Sequence, residues 1–218
     1  MPLADNAILH DAEVMLRCTG NLDRFARIAA TDRGDTLRRA AVGIVLAPNE
    51  TGECCYVFTQ RALNLRRSAG QYALPGGMID AGEDALDAVR REVFEEVGVE
   101  LRPDACIGIL DDLVTLAGIA MTPVVMWSRE PIALAPAPDE VHDAWLVPVA
   151  ELNHTDAPKM IRDSHAPPES APMILRMPVR GEWINPPTAA VLYQFREVAL
   201  HGRTIRVSSV LQPQWTAT

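Results

Sequence analysis

The chain has 218 residues, enough for one large domain or one domain with an appendage. Its 48% hydrophobic content can supply a sizeable core, and its formal net charge of -9 argues against a nucleic acid held through its phosphate backbone. A small phosphorylated ligand stays compatible with that charge, because a metal ion can supply positive charge locally.

Residues 1–36 read as an N-terminal helical extension. Asn21 can cap LDRFARIAA, with Leu22, Phe25, Ile28 and Ala29 on one face and Gly34 as the stop. Its expected role is a packing appendage or an arm for a homodimer. The start of the chain shows no basic region followed by an apolar run, and no stretch is long enough to span a bilayer. The four cysteines, Cys18, Cys54, Cys55 and Cys106, form no CxxC pair and read as reduced thiols. A cytoplasmic protein with no membrane partner is expected.

From Arg39 the pattern changes. AAVGIVLA (40–47) suits a strand buried on both faces, PNETGE is a turn, and CCYVFTQRA (54–62) reads as the next strand. Residues 83–97 carry a helical stripe of Leu86, Val89, Val93 and Val97, ended by Gly98. Residues 105–128 read as two or three strands with a break near Ala117–Gly118. AWLVPVAEL (144–152) reads as a short strand and a turn of helix, 153–172 as a loop, and MILRMPV (173–179) as a strand. PPTAAVLYQFREVALHG (186–202) reads as a helix entered through prolines and left at Gly202, with RVSSVLQ as a last strand or a tail. Strands and helices that do not strictly alternate predict an α/β fold with a mixed sheet and helices packed on it.

The chemistry concentrates in GGMIDAGEDALDAVRREVFEEVGV, Gly76 to Val99, where seven acids meet only Arg90 and Arg91. On a helix Glu92, Glu95 and Glu96 sit at i, i+3 and i+4, so their carboxylates share one side and repel. Such a group is either a solvated face or an oxygen-rich pocket for Mg²⁺ or Mn²⁺. Glu83 stands just before the helix, where it favours the N-terminus. The Gly76–Gly77 turn lets backbone come close enough to offer a carbonyl oxygen.

The offsets match a known pattern. Gly77, Glu83, Arg91, Glu92, Val93, Glu95, Glu96, Gly98 and Val99 fill G-x5-E-x7-R-E-U-x-E-E-x-G-U, where U is bulky aliphatic. The chain therefore resembles the Nudix hydrolases. The resemblance implies an α/β/α sandwich over residues 37–218 and metal-dependent hydrolysis of a nucleoside diphosphate compound. It implies Glu92, Glu95, Glu96 and the Gly76 carbonyl as metal ligands, and Arg91 holding Glu83. Glu95 and Glu140 are the candidates for the general base.

Upstream, VFTQRALNLRRSAGQYALPGG (57–77) resembles LLTxR-[SA]-x3-R-x3-G-x3-F-P-G-G, a second signature found in the coenzyme A diphosphatase subgroup. Thr59, Arg61, Ala62, Arg66, Gly70, Pro75, Gly76 and Gly77 match, and Leu74 replaces the usual Phe. Coenzyme A carries a 3'-phosphate besides its diphosphate, so Arg61, Arg66 and Arg67 are expected substrate contacts, with Gly70 and Leu74 beside them. Weaker matches follow at MTPVV (121–125), Glu140–Val141, VPVAEL (147–152) and Thr188–Ala189. Asn185, Pro186 and Pro187 stand where the subgroup has a Trp-Gly-Leu run. Three functions are compatible with these residues: cleavage of coenzyme A or its derivatives to 3',5'-ADP and (acyl-)4'-phosphopantetheine, cleavage of another nucleoside diphosphate compound such as ADP-ribose, a dinucleotide or a nucleotide sugar, and a non-catalytic nucleotide-binding module.

Overall fold

In the strand Arg38–Pro48 (β1) the residues from Ala40 to Ala47 are buried without a break, alternate ones on opposite faces. Ala41 and Val45 belong to one apolar cluster, while Val42, Ile44 and Leu46 belong to a second. A period-two chain buried on both faces must lie inside a sandwich. The computed structural model describes residues 7–31, 37–66, 68–163, 173–208 and 210.

β1 is the centre of an eight-stranded sheet. Cys54–Arg61 (β2), Tyr72–Ala73 (β3), Gly76–Met78 (β4), Cys106–Ile109 (β5), Leu113–Val114 (β6), Ile119–Trp127 (β7) and Val141–Pro148 (β8) complete it. β7 runs parallel to β1 over Arg38–Leu46, and the other described pairings are antiparallel, so the sheet is mixed. One edge of β1 is shared. Its end pairs with β2 through Leu46 and Tyr56, and its beginning pairs with β4 through Ala41 and Gly77. Where the two partners part, the Gly43 N–H bonds to Pro75 O at 2.8 Å. That split carries the double glycine onto the sheet.

The helix Ala85–Val97 (α2) lays Ala88, Val89, Val93 and Val97 on the face formed by Ala41, Val45, Val57 and Val124. Asp84 caps it, accepting from the N–H groups of Leu86 and Asp87 at 2.8 and 2.9 Å, and Gly98 ends it in the left-handed region at φ 70°. The helix starts one residue past the cap, so Glu83 lies outside it. The opposite face of the sheet is covered by Thr188–Phe195 (α3) and the N-terminal helix Ala12–Arg24 (α1). Together these layers make an α/β/α sandwich.

Three elements differ from the sequence expectation, and a fourth is narrowed. The N-terminal helix begins at Ala12, ten residues before the Leu22 start expected from an Asn21 cap, because Asp11 supplies the cap, accepting from Val14 N at 2.9 Å. Val14, Cys18 and Leu22 form its buried stripe, whereas Asn21 lies within it and donates to Ala199 O at 2.8 Å. Ile28 is exposed and outside the helix, and the expected stop at Gly34 lies outside the described residues. The segment 153–172 contains the strand Lys159–Arg162 (β9), paired to Met173–Val179 (β10), which pairs in turn with Glu182–Ile184 (β11). The 186–202 helix is α only over α3 and continues as a wider π turn over Arg196–Leu200. Residues 206–208 and 210 form no strand.

Among the described residues no helix is long and apolar enough to cross a membrane. Cys18, Cys54, Cys55 and Cys106 are free, and burial pushes the Cys18 thiol up to about 11 and that of Cys55 up to about 12. Thiols so far from ionising are poor nucleophiles.

Candidate active site

The site forms where β4 passes under α2. Gly76 sits at φ 152°, and a Cβ there would meet the Ala41 carbonyl oxygen at 2.2 Å. Its N–H donates to Glu96 Oε2 at 3.1 Å. A Cβ on Gly77 would lie 2.2 Å from Glu92 Oε1. The two glycines thus occupy the space next to the Glu92 and Glu96 carboxylates, which lie four residues apart on one face of α2.

Glu140 comes from the loop before β8. That loop is pinned to the end of α2: the N–H groups of Ala135 and Ala137 donate to the carbonyls of Val97 and Glu96, both at 2.9 Å, satisfying groups the helix leaves open. The Glu140 carbonyl accepts from Ala62 N at 2.9 Å, beside Arg61. One carboxylate oxygen each from Glu92, Glu96 and Glu140 then lie within 4.8 Å of one another.

Glu95 stands apart from this trio. Its side chain is 49% exposed and accepts from Arg91 Nη1 at 3.0 Å. Arg91 organises the rim. Its Nε and Nη2 fork onto Glu83 at 2.8 and 3.0 Å, Nη1 reaches Glu92 at 2.8 Å, and Nη2 reaches Met78 O at 3.0 Å. This fork holds the Glu83 carboxyl below its usual range. One guanidinium therefore ties the loop before α2, the end of β4 and the acid face of the helix together.

Burial acts in the opposite sense on the inner acids. It pushes Glu96, 4% exposed, up to about 8 against the Gly76 N–H bond, with Glu92 and Glu140 adding like charge. Burial also raises Glu92, despite its bond to Arg91. Desolvated carboxylates that face one another suit a hard divalent cation, which supplies the missing opposite charge and takes oxygen ligands. The residues present therefore fit a Mg²⁺ or Mn²⁺ site.

Arg61 lies at a bulge, where the β2–β8 register shifts between Gln60 and Arg61. Bulges re-aim side chains, and this guanidinium acts electrostatically on Glu96 while its Nε is buried with no hydrogen-bond partner. Arg66 is exposed, and Arg67 lies outside the described residues. Gly70, at φ 69°, turns the loop that leads into β3, donating to Arg61 O at 3.1 Å. Leu74 is 5% exposed and packs in the larger apolar cluster. The Asp84 cap and the Met78 carbonyl were not sequence candidates. Asp84 followed three residues later by Asp87 offered a cap signal, whereas nothing in a side chain marks the carbonyl.

The NUDIX domain family matches residues 37–167, more than half of the chain, and the chain belongs to that family: it is a Nudix hydrolase. It is 30% identical over 131 residues to an uncharacterized Nudix hydrolase NudL of Citrobacter koseri, a match covering 60% of this chain and 68% of that one. It is 29% identical over 134 residues to the NudL protein of Escherichia coli K12, covering 61% and 70%. The Nudix hydrolase RenU of M. smegmatis aligns over 78% of this chain and 89% of its own, with a TM-score of 0.47 and 19% identity.

Proposed function

We propose that the protein hydrolyses the diphosphate linkage of coenzyme A or its derivatives in the presence of Mg²⁺ or Mn²⁺, giving 3',5'-ADP and (acyl-)4'-phosphopantetheine. The observation that carries this reading is Arg61. Its guanidinium stands at the β2 bulge close enough to the acid cluster to act on Glu96, a fixed positive charge for a phosphate group in a segment that matches the coenzyme A signature.

Glu92 and Glu96 would hold the cation from the helix side, with Glu140 facing them across the cleft. Bound there, a divalent ion would screen the diphosphate oxygens, stabilise the leaving group and acidify water. Glu140 takes the proton from the attacking water. The water oxygen bonds to one phosphorus, and the bond from that phosphorus to the bridging oxygen breaks, leaving its electron pair on the departing phosphate. Glu140 suits this role better than Glu95, because it converges with Glu92 and Glu96, whereas the Glu95 carboxylate is engaged by Arg91 Nη1. Arg91 fixes Glu83 and Glu92 and so sets the geometry. Arg61 and Arg66 contact phosphate, and Arg67 is the third candidate.

A second reading, cleavage of ADP-ribose, a dinucleotide or a nucleotide sugar, draws on residues 185–187, where the coenzyme A pattern is broken. Turnover of coenzyme A, dephospho-coenzyme A and ADP-ribose with each metal separates the two. The first reading expects the highest kcat/KM for coenzyme A and a selective loss of that preference in Arg61→Ala. Higher kcat/KM for ADP-ribose would overturn it.

A further inference from the structure

The broken stretch forms one wall of a cleft. Residues 70–72 face residues 182–188 across a space of about 210 Å³. A drug-sized ligand needs ~300–1,000 Å³, so this cleft has room for one moiety of a substrate. Its lining includes the ring of Tyr72, the amides of Gln71 and Asn185, the Thr188 hydroxyl and the carboxylate of Glu182, and none of the described lining residues is cationic. A phosphate placed there would meet Glu182 with no cation among the described lining residues to offset it. A flat, uncharged group with hydrogen-bonding edges meets complementary partners.

The rings have different availability. Lys159 Nζ lies 5.1 Å over the Trp183 ring, and His154 packs edge-on against it. Tyr72 is backed by the buried ring of Phe58 at 5.9 Å with a 17° interplanar angle, and is still 37% exposed. Trp145 flanks it as well, at 6.0 Å and a tilt of 53°, so the ring is held by two aromatic neighbours and keeps exposed surface on which a base can stack. Tyr72 is also four residues before Gly76, whose N–H touches Glu96. Four extended residues span at most ~14 Å, a reach comparable to that of a nucleoside monophosphate. A base on Tyr72 and its diphosphate at the acid cluster can therefore belong to one molecule.

We infer that this cleft is the base subsite: Tyr72 stacks on the purine of the substrate, and Glu182 accepts a hydrogen bond from an exocyclic amino group. This rests on the nucleoside-diphosphate reading of the acid cluster. It assigns the Asn185–Pro187 departure to the wall of a specificity pocket.

The test measures direct binding and turnover together. Calorimetry on the metal-free protein reads the affinities of AMP, IMP and 4'-phosphopantetheine, and steady-state assays read KM and kcat for coenzyme A. Tyr72→Ala is expected to weaken AMP and raise KM by about 5- to 150-fold, the range of base–aromatic stacking losses. It should leave kcat and 4'-phosphopantetheine binding near wild type, and Tyr72→Phe should restore AMP affinity. Glu182→Ala, at an exposed position, should weaken AMP and not IMP. Unchanged AMP affinity in Tyr72→Ala, or an equal loss for 4'-phosphopantetheine, overturns the assignment. AMP binding needs no turnover. Stacking on a protein inert toward coenzyme A would refute the substrate and keep the subsite; turnover of coenzyme A with AMP indifferent to Tyr72 would do the reverse.

Discussion

Gly77 and Glu92 are in contact: a Cβ on the glycine would stand 2.2 Å from Oε1 of the glutamate. Its neighbour Gly76 is blocked by backbone, at 2.2 Å from Ala41 O, and sits at φ 152°. The two glycines should therefore fail differently. In Gly77→Ala the obstacle is the end of a flexible side chain, so Glu92 swings away and the fold persists. kcat/KM should fall by about 10²-fold or more, as a misplacement of ~1 Å can do, with a thermal midpoint near wild type. Gly76→Ala must move a strand and strain φ, losing about 1–3 kcal/mol or more of stability. Calorimetry and kinetics on both variants read this contrast, and equal stability losses would contradict it.

Arg91→Lys keeps the charge and loses the fork. A lysine cannot span Glu83, Glu92, Glu95 and Met78 O, which Arg91 now reaches at 2.8–3.0 Å. The expected result is a kcat lower by ~10²-fold with KM little changed, since the fork positions the acids and does not hold the substrate. A pure rise in KM would mean that Arg91 binds substrate directly.

Asp112 fastens the segment after α1 to the sheet. Its carboxylate, 1% exposed, accepts from Arg27 Nη2 at 2.6 Å, Thr122 Oγ1 at 2.7 Å and Ala30 N at 2.8 Å. Replacing it with Ala leaves the buried Thr122 hydroxyl and the Ala30 N–H without their acceptor and loosens Arg27, which keeps Leu110 O, a loss of about 1–3 kcal/mol. Trypsin should then cut after Arg27 faster than in the wild-type protein, read by limited proteolysis and mass spectrometry. Unchanged cleavage would show that α1 alone anchors this segment.

The parts legible in the sequence are those where one local signal dominates. Val89, Val93 and Val97 recur at helical spacing, and Gly98 supplies the left-handed residue, so α2 was readable to within two residues. The apolar run of β1 announced a strand buried on both sides. α1 was misplaced because Asn21 and Asp11 are both good caps, and tertiary contact with Ala199 decides that Asn21 serves as a mid-helix donor. β9 exists only through its pairing with β10, in a segment whose prolines read as loop. Within the site, helical spacing grouped Glu92, Glu95 and Glu96, but it could not foresee that Glu95 lies half-exposed and bonded to Arg91. Nor could it place Glu140, 44 residues along from Glu96, whose position depends on the loop bonded to the end of α2.

Glu96 links metal, proton and stability. In the metal-free fold its carboxyl is raised from 4.5 to about 8, chiefly by burial, with Gly76 N–H, Glu92, Arg61 and Glu140 as its polar surroundings. The folded chain thus keeps a proton that the unfolded chain releases. The stabilisation is fully present below pH 4.5 and is lost as pH rises to about 8, with a slope of at most ~1.4 kcal/mol per pH unit. The thermal midpoint of the metal-free protein should fall across that window, and Glu96→Gln, neutral throughout, should flatten the fall. Mg²⁺ or Mn²⁺ needs the ionised form, so the stabilisation it adds should grow over the same interval. At 100 times Kd the ion contributes about 2.7 kcal/mol, or roughly 5–11 °C for a chain of this size. Midpoints measured from pH 5 to 8.5, with and without metal, decide the matter. A metal-induced shift that is the same at both ends, or one that survives in Glu96→Gln, would mean the cation binds elsewhere.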